Sequence, residues 1–177
     1  APAEMQDWSQ KHFGAWSKSL NSKEKSGLIS YASSDYSYIN EELRSGKPDR
    51  DTKKTVAGID SALARSKVPE DTVAHRGLRS VAMFGDMSNV VGREFSDKTY
   101  CSTSVNKTVA ERYDGAAVME INVPKGSSGA ALFGHEARLT GFEDEHELLL
   151  PRNSKFKITG AEKKGDVWHL KAELMSA

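Results

Sequence analysis

A polar loop runs into an apolar strand at Phe142-Glu143-Asp144-Glu145-His146-Glu147-Leu148-Leu149-Leu150-Pro151. Side chains alternate between the two faces of a strand, so the pattern predicts Glu145 and Glu147 on one face and His146 on the other. Two carboxylates roughly 6–7 Å apart along one strand can contact two different groups of a reacting pair. A solvated acidic strand edge would show the same residues, so this motif alone does not define a site.

A second strand is predicted at Tyr100-Cys101-Ser102-Thr103-Ser104, with Ser102 and Ser104 on one face and Cys101 and Thr103 on the other. A hydroxyl on a neighbouring strand could hold a catalytic carboxylate in one rotamer. Ordinary cross-strand pairing of Ser and Thr would give the same pattern. Cys101 has no evident His partner in the sequence, so we expect a small buried residue and not a catalytic thiol.

A third strand is predicted at Val73-Ala74-His75-Arg76-Gly77-Leu78, where an apolar run delivers an arginine that is followed at once by glycine. A planar guanidinium can bind phosphate oxygens with two parallel hydrogen bonds, and a glycine beside it lets backbone approach a ligand closely. An ion-paired arginine at a strand end is the structural alternative.

The remaining chain gives these motifs their context. Apolar residues recur every three to five positions over 4–66 and predict helices, with breaks at 21–22 and 45–48 and a later helix capped by Asp51 or Thr52. From about residue 69, short β-branched or aromatic runs predict strands, the last two joined as a hairpin, at 72–78, 99–104, 116–123, 129–133, 145–150, 154–161 and 166–174. Strands that follow one another without crossover helices indicate mainly antiparallel pairing, and the helical first third makes the class α+β.

Composition limits the classes of function. The 177 residues fit one domain, with a helical part over 1–66 and a β-rich core over 69–177. Lys plus Arg and Asp plus Glu both number 25, so no basic face predicts a nucleic-acid partner. One cysteine excludes an internal disulfide framework, scattered histidines predict no metal, and no apolar run is long enough to suggest a membrane span, so we expect a soluble chain.

The order and spacing of the three motifs are specific. Arg76, a Ser-Thr-Ser strand about 25 residues later and a Glu-x-Glu strand about 45 residues after that resemble the arginine–serine–glutamate class of bacterial mono-ADP-ribosyltransferase toxins. Residues 72–160 are similar to the core of actin-modifying toxins, including the enzymatic components of clostridial binary toxins and virulence transferases of Gram-negative bacteria. Two stretches carry most of this likeness, 145–158 and the strand end Ile121-Asn122-Val123-Pro124-Lys125.

The resemblance implies a helical N-terminal third packed on a mainly antiparallel two-sheet core, with NAD consumed as a substrate and no metal. It implies that Arg76 holds the NAD phosphates. It also implies that Ser102 orients Glu147, with Thr103 and Ser104 completing the support of the site.

By the same resemblance Glu147 is the catalytic glutamate, which hydrogen-bonds the 2′-hydroxyl of the nicotinamide ribose and stabilises the cationic transition state as nicotinamide departs. A fixed carboxylate beside developing positive charge stabilises the transition state more than the ground state. Glu145 lies where the family distinguishes its targets, and glutamate there accompanies arginine modification. A guanidinium is a poor nucleophile until a carboxylate orients it.

Further contacts are implied outside the three motifs. Tyr31, Tyr36 and Asn40 repeat the spacing of two tyrosines and an asparagine that line the NAD site of binary-toxin enzymes, although core residues of amphipathic helices would give the same spacing. Residues 138–144 correspond to the family's recognition loop. Phe142 is placed either as the aromatic residue that meets the protein target or as a buried anchor of the loop.

The chain departs from the binary-toxin pattern in two ways. Gly77 stands where those enzymes often carry a second arginine, so the phosphate contacts must differ. The sequence also contains no second, duplicated adaptor domain of the binary-toxin kind. We therefore expect an injected effector, a fragment of a larger toxin or a single-domain toxin, and delivery through a separate translocation pore is doubtful.

These observations predict a toxin or effector that is secreted or injected and modifies an arginine of a protein in the host cytosol, with actin as the favoured target. Arginine transfer to another protein such as a small GTPase, hydrolysis of NAD, and a catalytically silent binding domain are the alternatives. We expect a monomer that binds neither nucleic acid nor membrane.

Overall fold

The computed structural model describes residues 2–33, 35–112, 115–135 and 138–176. Helices form the first third of the chain and β-strands most of the remainder, so the predicted α+β class is confirmed. The helices are α1 (Pro2–Ser19), α2 (Ser22–Ala32), α3 (Tyr36–Ser45) and α4 (Arg50–Ala64). None of the helices within these ranges is both long and apolar enough to cross a bilayer.

Capping residues set the helix boundaries. Asn21 and Glu24 form a reciprocal capping box at the start of α2, which explains the predicted break at 21–22. The prediction that Asp51 or Thr52 caps α4 is wrong, because the Asp49 carboxylate accepts a hydrogen bond from Thr52 N at 2.8 Å and the helix begins at Arg50. The break between α2 and α3 was not predicted.

The strands are β1 (Thr72–Leu78), β2 (Glu94–Ser96), β3 (Cys101–Ser104), β4 (Ala117–Val123), β5 (Ala130–Ala131), β6 (Glu147–Leu150), β7 (Lys155–Lys164) and β8 (Val167–Ser176). Each of the seven predicted strands is present, and β7 and β8 form the predicted hairpin. Strand β2 and a short helix α5 (Lys107–Glu111) were not predicted, because neither is long enough to show a periodic pattern.

The strands join in the order β2-β7-β8-β4-β1-β3-β6-β5, and every pairing is antiparallel except β4 with β8. A two-sheet core was expected, whereas hydrogen bonds link all eight strands in one series. The link between the two parts of this series is a single residue pair, because β1 and β3 share only His75–Ser104. A five-stranded part and a three-stranded part are therefore joined at one residue pair.

Strands β1 and β3 separate immediately beyond that pair. Continued antiparallel pairing would bring Arg76 opposite Thr103 and Leu78 opposite Cys101, but the register ends at His75–Ser104. The separation opens a wedge between the two parts of the sheet. The functional motifs on β1 and β3 line its two sides.

Strand β6 divides the hydrophobic core in two. Leu149 packs with the helices, Tyr100 and the segment 130–133, whereas Leu148 and Leu150 pack with the five-stranded part of the sheet. Period-two alternation along β6 explains this division. Glu147 has the same parity as Leu149, so it lies on the side of the sheet that the helices cover.

Candidate active site

A cleft of about 760 Å³ occupies the wedge. Its walls come from α2, α3, β1, β3, β6 and the loop before β6. The eleven residues predicted from the sequence as site residues all line this cleft: Tyr31, Tyr36, Asn40, Arg76, Gly77, Ser102, Thr103, Ser104, Phe142, Glu145 and Glu147.

Glu147 is the first residue of β6 and pairs with Ser104 of β3. The residue is half-buried. Removal from bulk water raises the pKa of its carboxyl to about 7, a hydrogen bond with the Ser102 hydroxyl opposes that rise, and the charge of Glu145 adds to it. A carboxylate with a pKa so close to neutrality is typical of active sites.

The three hydroxyls of β3 have different partners. Ser102 is exposed to the cleft and hydrogen-bonds both Glu147 and Tyr31. Thr103 Oγ1 donates to Leu148 O at 2.6 Å, and Ser104 Oγ donates to Glu145 O at 2.6 Å. The first hydroxyl therefore faces the site, while the other two hold the backbone on either side of Glu147.

Arg76 projects from β1 at the point where the wedge opens. Its Nη1 donates to Cys101 Sγ at 3.0 Å, and no carboxylate within the described part of the chain pairs with it. The guanidinium thus brings a positive charge to the cleft without a neutralising acid. Such a group is suited to binding an anionic ligand. Cys101 is buried, as predicted.

Two helices form the opposite wall. Asn40 Nδ2 donates to the Tyr31 hydroxyl at 3.1 Å, and the Tyr31 ring packs edge-on against Tyr100 with a centroid distance of 5.2 Å. Burial raises the pKa of Tyr31 to about 12, which keeps its hydroxyl protonated at neutral pH. Asn40 Oδ1 is buried and finds no hydrogen-bond partner among the described residues. Tyr36 is about half exposed at the rim.

The prediction that Glu145 lies in the same strand as Glu147 is wrong. Glu145 ends a 3-10 turn over Glu143–Glu145, and β6 begins only at Glu147. Between them His146 adopts the left-handed conformation, with φ 48° and ψ 51°. A non-glycine residue in this region costs about 1–2 kcal/mol. The two glutamates therefore reach one cleft from a turn and from a strand, and do not share one strand face.

The loop over 138–144, predicted to recognise the target, is fixed at several points. Thr140 Oγ1 accepts a hydrogen bond from Phe142 N at 3.1 Å, and the Glu143 carboxylate accepts one from Gly134 N at 2.6 Å. The Phe142 side chain is nevertheless 53% exposed. Of the two alternatives for Phe142, the buried anchor is excluded and the exposed aromatic at the cleft mouth remains.

His146, between this loop and β6, is buried, and no role was predicted for it. Its exposed fraction is 3%, and its ring packs edge-on against Phe133 with a centroid distance of 5.1 Å. Asn106 Nδ2 lies 3.3 Å from His146 Nδ1. Burial lowers the pKa of the imidazole, so the ring is neutral at pH 7. The sequence signal that could have predicted its burial is the two-residue spacing from the buried residues Leu148 and Leu150.

Other residues of the cleft were not predicted. Arg44 of α3 lines it and forms an ion pair with Asp97 at 2.9 Å, while Arg79 lies exposed just beyond β1. His75, at the junction of the two parts of the sheet, is largely buried and also lines the cleft. No local pattern distinguishes these residues from ordinary surface or strand residues in the sequence.

A family model described as "ADP-ribosyltransferase exoenzyme" matches residues 5–174. Comparison with the sequences of curated proteins gives no significant match. The family match thus covers the helical third as well as the strands.

Solved structures of bacterial toxins share the fold. The enzymatic component C2-I of the C2 toxin from Clostridium botulinum is 24% identical with a TM-score of 0.79, covering 95% of this chain and 47% of its own. Plx2a, an ADP-ribosyltransferase toxin from Paenibacillus larvae, is 22% identical with a TM-score of 0.84, covering 99% and 96%. C3stau2 from S. aureus, solved with NAD, is 19% identical with a TM-score of 0.82, covering 99% and 96%. The chain therefore spans about half of C2-I and nearly all of the other two.

Proposed function

Because this chain belongs to the ADP-ribosyltransferase exoenzyme family, we propose that it transfers ADP-ribose from NAD to an arginine of a host protein, with actin as the favoured target. The family supports NAD-dependent mono-ADP-ribosylation. The observation that carries the finer proposal is the convergence of Arg76, Ser102, Glu145 and Glu147 on one cleft.

The cleft suits NAD in charge, hydrogen bonding and size. Arg76 offers a guanidinium without a carboxylate partner in the described chain, and a pyrophosphate would supply the missing negative charge. The buried Asn40 Oδ1 would gain a partner from an N–H group of the dinucleotide. A volume of about 760 Å³ lies within the range of pockets that enclose ligands of this kind.

The reaction breaks the bond between ribose C1′ and the nicotinamide nitrogen. The bonding electrons leave with nicotinamide, and positive charge develops on the ribose in the transition state. The ionised Glu147 carboxylate, oriented by Ser102, is placed to stabilise that charge and to accept a hydrogen bond from the 2′-hydroxyl. Because the carboxylate is fixed before the reaction, it needs no reorganisation as the charge appears.

The acceptor step forms a bond from C1′ to a guanidinium nitrogen, and the arginine loses one proton. A protonated guanidinium has no available lone pair, so a carboxylate that binds it and takes the proton assists attack. Glu145 lines the same cleft as Glu147 and directly follows the recognition loop, at the end of the 3-10 turn, which suits it to this role.

Actin is favoured because segments 121–125 and 145–158 resemble actin-modifying toxins more than other relatives. Transfer to an arginine of another host protein, such as a small GTPase, is the alternative. The proposed site of action is the host cytosol, after secretion or injection. Under this proposal Phe142, exposed at the cleft mouth, contacts the target.

A second candidate activity is hydrolysis of NAD, in which water replaces arginine as the acceptor. It is favoured by the position of Glu147, which can assist departure of nicotinamide without any acceptor protein. Glu145 separates the two activities. Glu145→Ala should abolish transfer and retain hydrolysis if Glu145 serves the acceptor.

The decisive experiment incubates the purified chain with labelled NAD, actin and a host-cell lysate, beside Glu147→Ala. Gel analysis and mass spectrometry then identify the labelled protein and the modified residue. We expect label on an arginine of actin that disappears with Glu147→Ala.

Each other outcome has a defined meaning. Label on a different band would keep arginine transfer and replace the target. Free nicotinamide without labelled protein would favour NAD hydrolysis. Absence of both products would indicate a silent domain, which failure to bind NAD at millimolar concentration would support.

A further inference from the structure

His146 lies between the two glutamates of the cleft and has a left-handed backbone conformation. Glu145 ends a 3-10 turn, His146 is left-handed and Glu147 starts β6. In an uninterrupted strand the residues on either side of His146 would face the same way. The left-handed residue breaks this alternation and allows a turn and a strand to deliver one carboxylate each.

The two glutamates are held by different means. Glu147 belongs to the ladder between β3 and β6, where it pairs with Ser104 and hydrogen-bonds Ser102. Glu145 lies outside the ladder, and its carbonyl is held by the Ser104 hydroxyl. Its direction therefore depends on the turn, and the turn depends on the conformation of His146.

His146 is fixed to the corner between β3 and α5 through both its backbone and its ring. Its carbonyl accepts a hydrogen bond from Val105 N at 3.1 Å, and its N–H donates to Glu143 O at 3.3 Å. The buried ring packs against Phe133 and meets the Asn106 side chain. These contacts hold an otherwise disfavoured conformation in place.

Asn106 also determines which ring nitrogen carries the proton. Asn106 caps α5, and its Oδ1 accepts a hydrogen bond from Thr108 N at 3.1 Å. With the oxygen engaged there, Nδ2 is the atom directed at His146 Nδ1. Nδ1 must then be the acceptor, which assigns the proton of the neutral ring to Nε2.

We propose that His146 is a positioning residue that holds Glu145 relative to Glu147, and thereby sets how much ADP-ribose passes to arginine instead of water. This inference rests on the proposed arginine transfer. His146 is buried and does not line the cleft. It acts through the direction in which the turn presents Glu145, while the ladder keeps Glu147 in place.

The test measures two rates for each variant: nicotinamide release without acceptor, and transfer to agmatine, a small guanidinium compound that needs no protein docking. His146→Val introduces a β-branched residue that resists the left-handed conformation. We expect it to reduce the ratio of transfer to hydrolysis about tenfold or more, as misplaced catalytic groups do. Hydrolysis should stay within about threefold of wild type, since the ladder is intact.

His146→Asn is the conservative control, because asparagine tolerates the left-handed region and retains a polar side chain. We expect it to keep a ratio near that of the wild type. Thermal unfolding and NAD binding report whether each variant is folded. Asn106→Asp is the companion variant if His146→Val does not fold, since it retains a capping oxygen and removes the donor to Nδ1, and it should lower the ratio in the same direction.

An unchanged ratio in folded His146→Val, or in Asn106→Asp where that variant replaces it, would overturn the inference. Equal losses of both rates would overturn it as well, because they would indicate a general structural role. Failure of the wild-type chain to modify both agmatine and any protein of the host-cell lysate, while it still hydrolyses NAD, would instead contradict arginine transfer itself, which distinguishes the two failures.

Discussion

The cleft is built from two regions of different construction. One side carries Arg76, Ser102 and Glu147 on the paired strands β1, β3 and β6. The other carries Phe142 and Glu145 on the loop before β6, where a 3-10 turn and a left-handed residue replace the ladder. Each strand-borne group lies in a residue that pairs with a neighbouring strand, β4 for Arg76, β6 for Ser102 and β3 for Glu147, whereas loop-borne groups depend on a few local contacts.

This difference indicates a division of labour. Cleavage of NAD needs the same geometry for every substrate protein, and rigid strands supply it. Recognition of an acceptor differs between targets, and loops can change without disturbing a sheet. Under the proposed function the strand region serves NAD and the loop region serves the acceptor, so mutations in each should affect different rates.

Loss of the strand-borne carboxylate should have the largest effect. Glu147→Gln preserves the size of the side chain but removes the negative charge that, under the proposed function, stabilises the cationic transition state. We expect nicotinamide release and transfer to agmatine both to fall by about 10³-fold, a typical effect of removing one transition-state contact. Steady-state rates measure both activities, and NAD binding by calorimetry should change little. Retention of either activity above a tenth of wild type would contradict the division.

Loss of the loop-borne carboxylate should have a smaller and selective effect. Glu145→Gln leaves β6 intact and removes only the carboxylate that, under the proposed function, binds and deprotonates the acceptor. Transfer to agmatine should fall by about 10²-fold, whereas hydrolysis of NAD should remain within a few-fold of wild type. Measuring both rates on one preparation makes Glu147→Gln the matched control. Parallel loss of both would show that the loop also serves NAD cleavage.

Removal of the exposed aromatic ring should act only on protein targets. Phe142→Ala deletes a 53% exposed side chain at the cleft mouth. We expect transfer to a host protein to fall about tenfold in kcat/KM, as for truncation of an aromatic anchor, while transfer to agmatine is unchanged. Met175→Ala, at a similarly exposed residue of β8 that does not line the cleft, is the control and should alter neither. Equal effects of the two variants would show that Phe142 does not contact the target protein.

The smallest expected effect is a shift in pH dependence. Under the proposed function Glu147 acts in its ionised form, so kcat/KM for NAD hydrolysis should rise with pH and level off above the pKa of about 7. Ser102→Ala removes a hydrogen bond that lowers this pKa and should move the midpoint up. Glu145→Gln removes a charge that raises it and should move the midpoint down. Midpoints that coincide in all three proteins would argue against titration of Glu147.

Much of the strand region could be predicted from the sequence. Period-two alternation predicted the two faces of β3: Cys101 packs in the core with Leu148 and Leu150, whereas Ser102 and Ser104 pair with Leu149 and Glu147 on the other face. The resemblance over 72–160 also located the strand and loop residues that meet in the cleft. The α+β class followed from helical periodicity before residue 66 and short strands after 69.

The loop region was predicted less well, for a physical reason. No glycine marks the left-handed position, because tertiary contacts of a buried histidine stabilise it in place of local propensity. The strand pattern was therefore extended to Glu145.

The cap of α4 was also misplaced, because Asp49 and Asp51 are both plausible capping residues and only the Asp49 contact to Thr52 N distinguishes them.

The single pair that joins the two parts of the sheet has a consequence for exchange of backbone amides with solvent. Over 76–78, β1 is paired with β4 on one side and has left β3 on the other. Amide hydrogens directed at β4 should exchange slowly, whereas those directed into the wedge have water as their partner in the free protein. Deuterium uptake at the wedge-directed amides of this short segment should therefore slow when the dinucleotide binds, which would make them a reporter of occupancy independent of catalysis.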